Sequence, residues 1–148
     1  MLPLEYWIIV AVTAVAIVAC VSLHYEGLRL IARIPIGGIN NRHRIVVMIL
    51  CIMLLHVVEV WIFGITYYLL LLHGGFGSFD GIPAIGVFDA VYFSATVFST
   101  LGFGDIVPIG PIRFVTGTQS IAGLTLITWS ASFTFIEMMQ SGSAKNDR

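Results

Sequence analysis

Three stretches of this chain carry no charge, or almost none, over lengths that matter. Positions 6–23 have no charged residue, 45–72 hold only Glu59 beside His56, and 114–136 again have none. A helix needs about 20 mainly apolar residues to cross the hydrocarbon core of a bilayer, so each stretch predicts a spanning helix. The third is rich in Thr, Ser and Gly, as is normal where membrane helices meet each other or face water. A fourth apolar run, 88–99, is only about 12 residues or 18 Å as a helix, too short to span. A half-depth helix followed by irregular backbone is tolerated in a membrane only where it lines water or is buried in protein. Asp89 stands where it can cap the start of that short helix. The negative end of its dipole would point to the membrane centre and favour a cation there.

The polar links set a topology. Arg29, Arg33, Arg42 and Arg44 lie in the 24–44 link, which the positive-inside bias places in the cytoplasm. The 73–90 link has no Lys or Arg but carries Asp80 and Asp89, which suits the outside. The expected protein is therefore a multi-pass protein of the cell membrane, N-terminus outside and C-terminus cytoplasmic, with Arg113 the one exception to the pattern. The first apolar stretch lacks the basic start and cleavage site of a secretory signal. Residues 25–34 read as an extension of helix one at the inner interface, 34–41 as a Pro- and Gly-broken turn, 73–86 as a loop, and 141–148 as a disordered tail.

Composition narrows the class. Hydrophobic residues make up 58% of the 148 and charged ones 10%, against about 25% charged in a soluble domain. A net charge of -1, with only seven Lys and Arg residues clustered at turns, argues against nucleic acid as a partner. Cys20 and Cys51 sit in apolar runs and read as small buried hydrophobes, and no Cys/His spacing resembles a zinc site.

The most specific signal is Thr100-Leu101-Gly102-Phe103-Gly104-Asp105, preceded by a run rich in aromatic and hydroxyl residues and followed by Pro108. Gly102 and Gly104 alternate with Leu101 and Phe103, and glycine takes left-handed conformations that other residues avoid. Alternating handedness turns successive carbonyls to one side. A bare Gly-x-Gly commonly means a turn, but here Ser94, Ser99, Thr100, both glycines, the aromatic, the Asp and the Pro occur together between two spans.

This set resembles the pore signature of the potassium-channel superfamily, over about 85–140. The resemblance implies an all-α membrane protein: three transmembrane helices plus a re-entrant pore helix and selectivity filter, forming a homotetrameric pore. On this reading residues 1–44 are an N-terminal helix and cytoplasmic link. Residues 45–140 are the pore domain, with outer helix 45–72, pore helix 88–99, filter 100–105 and inner helix 113–139. K+ would be coordinated at Thr100, Leu101, Gly102 and Phe103, with Gly104 completing the filter, and Thr96, Ser99 and Asp105 supporting it and its outer mouth. The chain departs from the common bacterial pattern: Phe103 replaces a Tyr, Thr96 stands where many members are acidic, and Tyr92-Phe93 replace a Trp pair. No segment carries Arg at every third position, so no voltage sensor is visible.

Other residues carry paired readings. Gly123 fits an inner-helix hinge, or, with Gly117, close helix packing. Leu124, Ile127, Ala131 and Phe135 share a helical face and are candidates for the pore lining, with Phe135 narrowing the inner mouth, or for a lipid- or partner-facing surface. His56 and Glu59, three apart, form a candidate intramembrane pair. An ionised group there costs about 2.5–3.5 kcal/mol, so a structural bond to helix one or to the pore helix and a pH-sensitive role both stand. Glu137 reads as a solvated helix end or part of a cation-concentrating ring, and the arginines as topology signals. Trp7, Tyr67 and Tyr68 fit interfacial belts, and Trp61 and Trp129 packing positions.

The expected function is passive, potassium-selective conduction by a non-enzymatic homotetramer. Its partners are membrane lipid and its own copies, with no small-molecule substrate and no cofactor beyond K+ as permeant ion. The alternatives are a non-selective cation channel, the pore-forming subunit of a potassium transporter, and a non-conducting scaffold.

Overall fold

The computed structural model describes residues 3–33 and 41–146, and is mostly helical. The elements run α1 (Leu4–Ala32), α2 (Asn41–His73), β1 (Ser78–Asp80), α3 (Val87–Phe98), β2 (Val107–Ile109) and α4 (Arg113–Asn146). Helices α1, α2 and α4 are each long and apolar enough to cross a membrane. At about 1.5 Å per residue all three exceed a hydrocarbon core of roughly 30 Å, so their ends project into the interfaces.

Local chemistry explains the boundaries. Pro3 precedes the first turn of α1, where its missing N–H costs no helical bond. Glu5 in the first turn and Arg29 in the last complement the helix dipole. The expected interfacial extension of helix one is continuous with α1. The expected turn at 34–41 falls on 34–40, outside the described residues, and Asn41 is already helical. The expected disordered tail, 141–148, is corrected over most of its length, since α4 runs to Asn146. Elongating an existing helix adds a hydrogen bond per residue without a new nucleus, so polar composition alone does not stop it. Asp89 caps the start of the short helix as expected, from the third position of α3. Its Oδ2 reaches back 2.9 Å to accept the N–H of Gly86, the N-cap residue.

Helix α3 lies against α2 and α4. Phe63 and Tyr67 of α2, Phe93 and Val97 of α3, and Val115 and Leu126 of α4 form the centre of the main core, to which α1 adds Ile9, Ala16 and Cys20. Tyr67, Phe79 and Phe93 stand with ring centroids 4.4 to 5.8 Å apart, within the range where aromatic pairs attract. Tyr67 is thus a core residue, not part of an interfacial belt. A smaller cluster of Leu28, Ile31, Met48 and Ile52 joins α1 to α2 further along.

The two short strands pair antiparallel, with Ser78 opposite Ile109 and Asp80 opposite Val107. One strand precedes α3 and the other follows residue 105. Their pairing closes the excursion that leaves α2, forms α3 and segment 100–105, and returns into α4. Ile112 N–H donates to the Phe76 carbonyl at 2.9 Å and fastens the same closure beside α4.

Candidate functional site

Helix α3 ends at Phe98, and the next six residues leave it in an alternating backbone. Thr100, Gly102 and Gly104 have φ of 61, 53 and 79°. Thr100 is the only non-glycine with positive φ among the described residues. A β-branched residue rarely adopts that conformation, and such strain persists only where the surroundings enforce it. Here Thr100 N–H donates to the Val97 carbonyl at 3.0 Å, and Gly102 N–H to the Thr96 carbonyl at 3.1 Å. The segment is thereby folded back over the last turn of α3. Leu101 and Phe103, between the left-handed positions, are about two-thirds exposed.

Side chains of α3 brace the segment. Tyr92 Oη donates to Asp105 Oδ2 at 2.7 Å. That bond to the carboxylate raises the Tyr92 phenol above its ordinary pKa, because losing the proton would place two anions together. Thr96 is buried with Oγ1 on the Phe93 carbonyl at 2.8 Å, and Ser99 Oγ donates to Ala95 O at 2.7 Å. Both hydroxyls are spent within α3.

Beneath them runs a buried polar chain. Tyr67 Oη donates to Gln119 Oε1 at 2.7 Å, Gln119 Nε2 donates to Ser94 Oγ at 2.7 Å, and Ser94 Oγ donates to the Val60 carbonyl at 2.8 Å. It ties α4 to α3 and α3 to α2 with every member paired. Gln119 was missed in the sequence, because a single amide in an apolar helix has no local motif. Gly123 packs on the end of α3: an added Cβ would meet the Phe98 carbonyl oxygen, with Phe98 Cα 2.9 Å away. Gly117 would meet nothing within 4 Å, so within one chain the close approach is at Gly123.

A second polar cluster lies inside the bundle. His56 Nδ1 is 2.9 Å from Glu59 Oε2, and His24 Nδ1 is 2.8 Å from Glu59 Oε1. Glu59 and His24 are fully buried. Glu59 is thus bonded to helix α1, through a histidine that nothing in the sequence singled out. Ser130 Oγ of α4 lies 3.3 Å from His24 Nε2.

Residues 55–140 match the sequence model of a family described as "Ion channel". That span is more than half of the chain. The chain belongs to this ion channel family. No curated protein and no solved structure matches it. The channel's matched region takes in most of α2, all of α3, segment 100–105 and α4 to residue 140, and leaves α1 outside.

On the channel's α4, Leu124, Ile127, Ala131 and Phe135 are exposed along one side, while Gly123, Leu126 and Ser130 face the chain's own core. The solvated-end reading of Glu137 is corrected. It is not a solvated end, because its side chain is largely buried and Arg44 Nη2 donates to its Oε2 at 2.7 Å. Arg44, expected to serve topology alone, is buried and joins the start of α2 to the far part of α4.

Proposed function

We propose that this channel conducts K+ selectively, with four chains around one axis and the backbone carbonyls of Thr100, Leu101, Gly102, Phe103 and Gly104 replacing the ion's water shell. The observation that carries this reading is the left-handed backbone at Thr100, Gly102 and Gly104, alternating with Leu101 and Phe103. Alternating handedness turns successive carbonyls toward a common side. One chain supplies only one wall of such a cage, so the reading requires several copies. The exposed Leu101 and Phe103 give each copy an apolar face against its neighbours.

The rest of the chain takes its role from that arrangement. Helix α3 acts as a re-entrant pore helix whose C-terminal end, with its partial negative charge, favours a cation at the inner end of the filter. Asp105, held by Tyr92, attracts cations at the outer mouth. Thr96 and Ser99 support the filter from within α3. Leu124, Ile127, Ala131 and Phe135 line the inner pore, with Phe135 narrowing its mouth. Arginine placement supports a cell-membrane orientation with the N-terminus outside and the C-terminus in the cytoplasm. The permeant ion is the only ligand of this conduction path, and no catalytic step or small-molecule substrate belongs to it.

The test is flux from liposomes holding the pure protein under opposed potassium and sodium gradients, with and without barium. Potassium flux that barium blocks is expected. Equal sodium flux would replace the proposal with a non-selective cation channel, and no flux would sink it. The detergent complex should have four times the 16.2 kDa chain mass, and any other stoichiometry overturns the assembly.

A further inference from the structure

We propose that His24, His56 and Glu59 form an intramembrane site for a divalent transition metal ion of the zinc class, joining α1 to α2. The proposal does not depend on which ion the channel conducts. Each of the three residues offers one ligand atom, and these atoms all lie within 4.8 Å of one another. Two imidazoles and a carboxylate are the donor set of three-ligand zinc sites, with the fourth position left to water.

The geometry is close to what an ion needs. In a tetrahedral site with bonds of about 2.0–2.1 Å, neighbouring ligand atoms stand roughly 3.4 Å apart. Here His24 Nδ1 is 2.8 Å from Oε1 and His56 Nδ1 2.9 Å from Oε2 of the one carboxylate, so an ion between the rings would meet Glu59 through either oxygen or both. An opening of roughly half an ångström on each side would admit the metal. That motion is within the reach of side-chain rotation about rings that already point at one carboxylate. The rings are stacked, with centroids 5.4 Å apart and planes at 26°, so one ring must also turn for both in-plane Nδ1 lone pairs to meet a single ion.

The proton count closes without an added acid or base. In the metal-free arrangement each ring is taken as the tautomer whose Nδ1–H donates to the Glu59 carboxylate. When the ion binds, each ring becomes its other tautomer: the Nδ1 lone pair goes to the metal and the proton sits on Nε2. For His24 that Nε2–H has a partner already in place, the Ser130 Oγ at 3.3 Å. A hydrogen bond from the non-ligating nitrogen is what orients metal-bound histidines. Around the rings lies an apolar wall, with Trp129 centred 5.2 Å from His24 and Phe98 5.6 Å from His56. Low polarity there strengthens the attraction of Glu59 for a cation.

An entry path is present. His56 keeps a fifth of its side chain exposed, and it lines a cavity of about 480 Å³ together with Trp61, Ala95, Phe98, Ser99 and Ile127. His24 and Glu59 lie behind it, fully buried. The residues are 32 and 3 positions apart in sequence, which is why no zinc-like spacing is visible. The family match begins at residue 55, so His24 comes from the helix it does not cover.

The experiment uses the full, untagged chain in detergent, stripped with chelator, then equilibrated with Zn2+ or with Co2+ and desalted. One ion retained per chain is expected in the wild type and in the exposed-histidine controls His43→Ala and His73→Ala. His24→Ala and Glu59→Gln should retain less than a tenth of that. Ser130→Ala should weaken affinity about tenfold. Wild-type protein with Co2+ should show the strong visible bands of four-coordinate cobalt(II), a reading that needs no variant to fold. Zn2+ should also raise the thermal midpoint of the wild type and not of Glu59→Gln, as expected of a ligand bound only to the native state. A wild type that retains no metal, or shows only the pale six-coordinate spectrum, leaves a hydrogen-bonded triad and overturns the proposal. Retention that survives in His24→Ala, or is lost in His73→Ala, puts the ion elsewhere and overturns it equally.

Discussion

The phenol of Tyr92 donates to the carboxylate of Asp105 at 2.7 Å, bridging from α3 to the last residue of the 100–105 segment. The contact is exposed on one chain, so its consequence is positional rather than a matter of folding stability. Tyr92→Phe removes the donor and leaves the ring. The expected outcome is a protein of unchanged thermal midpoint whose liposome flux decays faster with time. Equal decay in variant and wild type would show that the tether does not hold the segment.

The same bond sets a pH dependence with a definite sign. Asp105 makes the phenol proton harder to lose in the folded protein. The contribution is therefore complete below the ordinary phenol pKa of about 10 and is lost as the pH rises through the higher folded value. Flux decay in the wild type should be steady up to about pH 9 and quicken only in strong alkali. Tyr92→Phe should show no such alkaline change.

Gly123 and Gly117 make a matched pair of tests. Gly123→Ala forces a methyl against the Phe98 carbonyl, where backbone rather than a flexible side chain must move. Overpacking of this kind costs about 1–3 kcal/mol, and it displaces the end of α3 from which segment 100–105 departs. Gly117→Ala meets nothing within 4 Å and should change chain stability by less than about 0.5 kcal/mol. Unfolding of both variants in mixed micelles measures the difference, and flux should fall only in Gly123→Ala.

Gln119 sits fully buried between Tyr67 and Ser94. Gln119→Leu keeps the bulk but leaves the Tyr67 hydroxyl without its closest acceptor. An unsatisfied buried group costs about 1–3 kcal/mol. A lower unfolding free energy of that size is expected. The double variant Tyr67→Phe with Gln119→Leu should recover part of it, because both partners are then apolar.

The Arg44–Glu137 pair spans 93 positions of sequence and is nearly buried at both ends. Glu137→Gln should cost about 1.5–3 kcal/mol, the range for hydrogen bonds to charged groups. Flux amplitude at fixed protein density shows whether loosening α2 from α4 changes the open fraction. A variant as stable as wild type would show that the pair is incidental.

Much of the architecture was legible from the chain alone. Runs with no charge, or with Glu59 alone, at 6–23, 45–72 and 114–136 lie within α1, α2 and α4, because the bilayer demands length and apolarity that few other contexts produce. The helices run further than those apolar runs, since a helix continues past the last apolar residue while backbone bonds can still be added. The motif at 100–105 was legible because glycine spacing is a local property. Tyr67 misled for the opposite reason: an aromatic near a helix end reads the same whether it faces headgroups or a core, and only Phe79, Phe93 and Gln119 around it decide.

Sequence by itself determined the three apolar helices, the short fourth one, and the residues of segment 100–105, all set by local length, polarity and glycine placement. Tertiary structure alone decided which polar side chains meet. Glu59 finds His24 at 35 positions' distance, Gln119 finds Ser94 at 25, and Arg44 finds Glu137 at 93. The physical reason is that a buried polar group must have a partner, but the identity of that partner depends on which helix faces cross, and no local spacing encodes that.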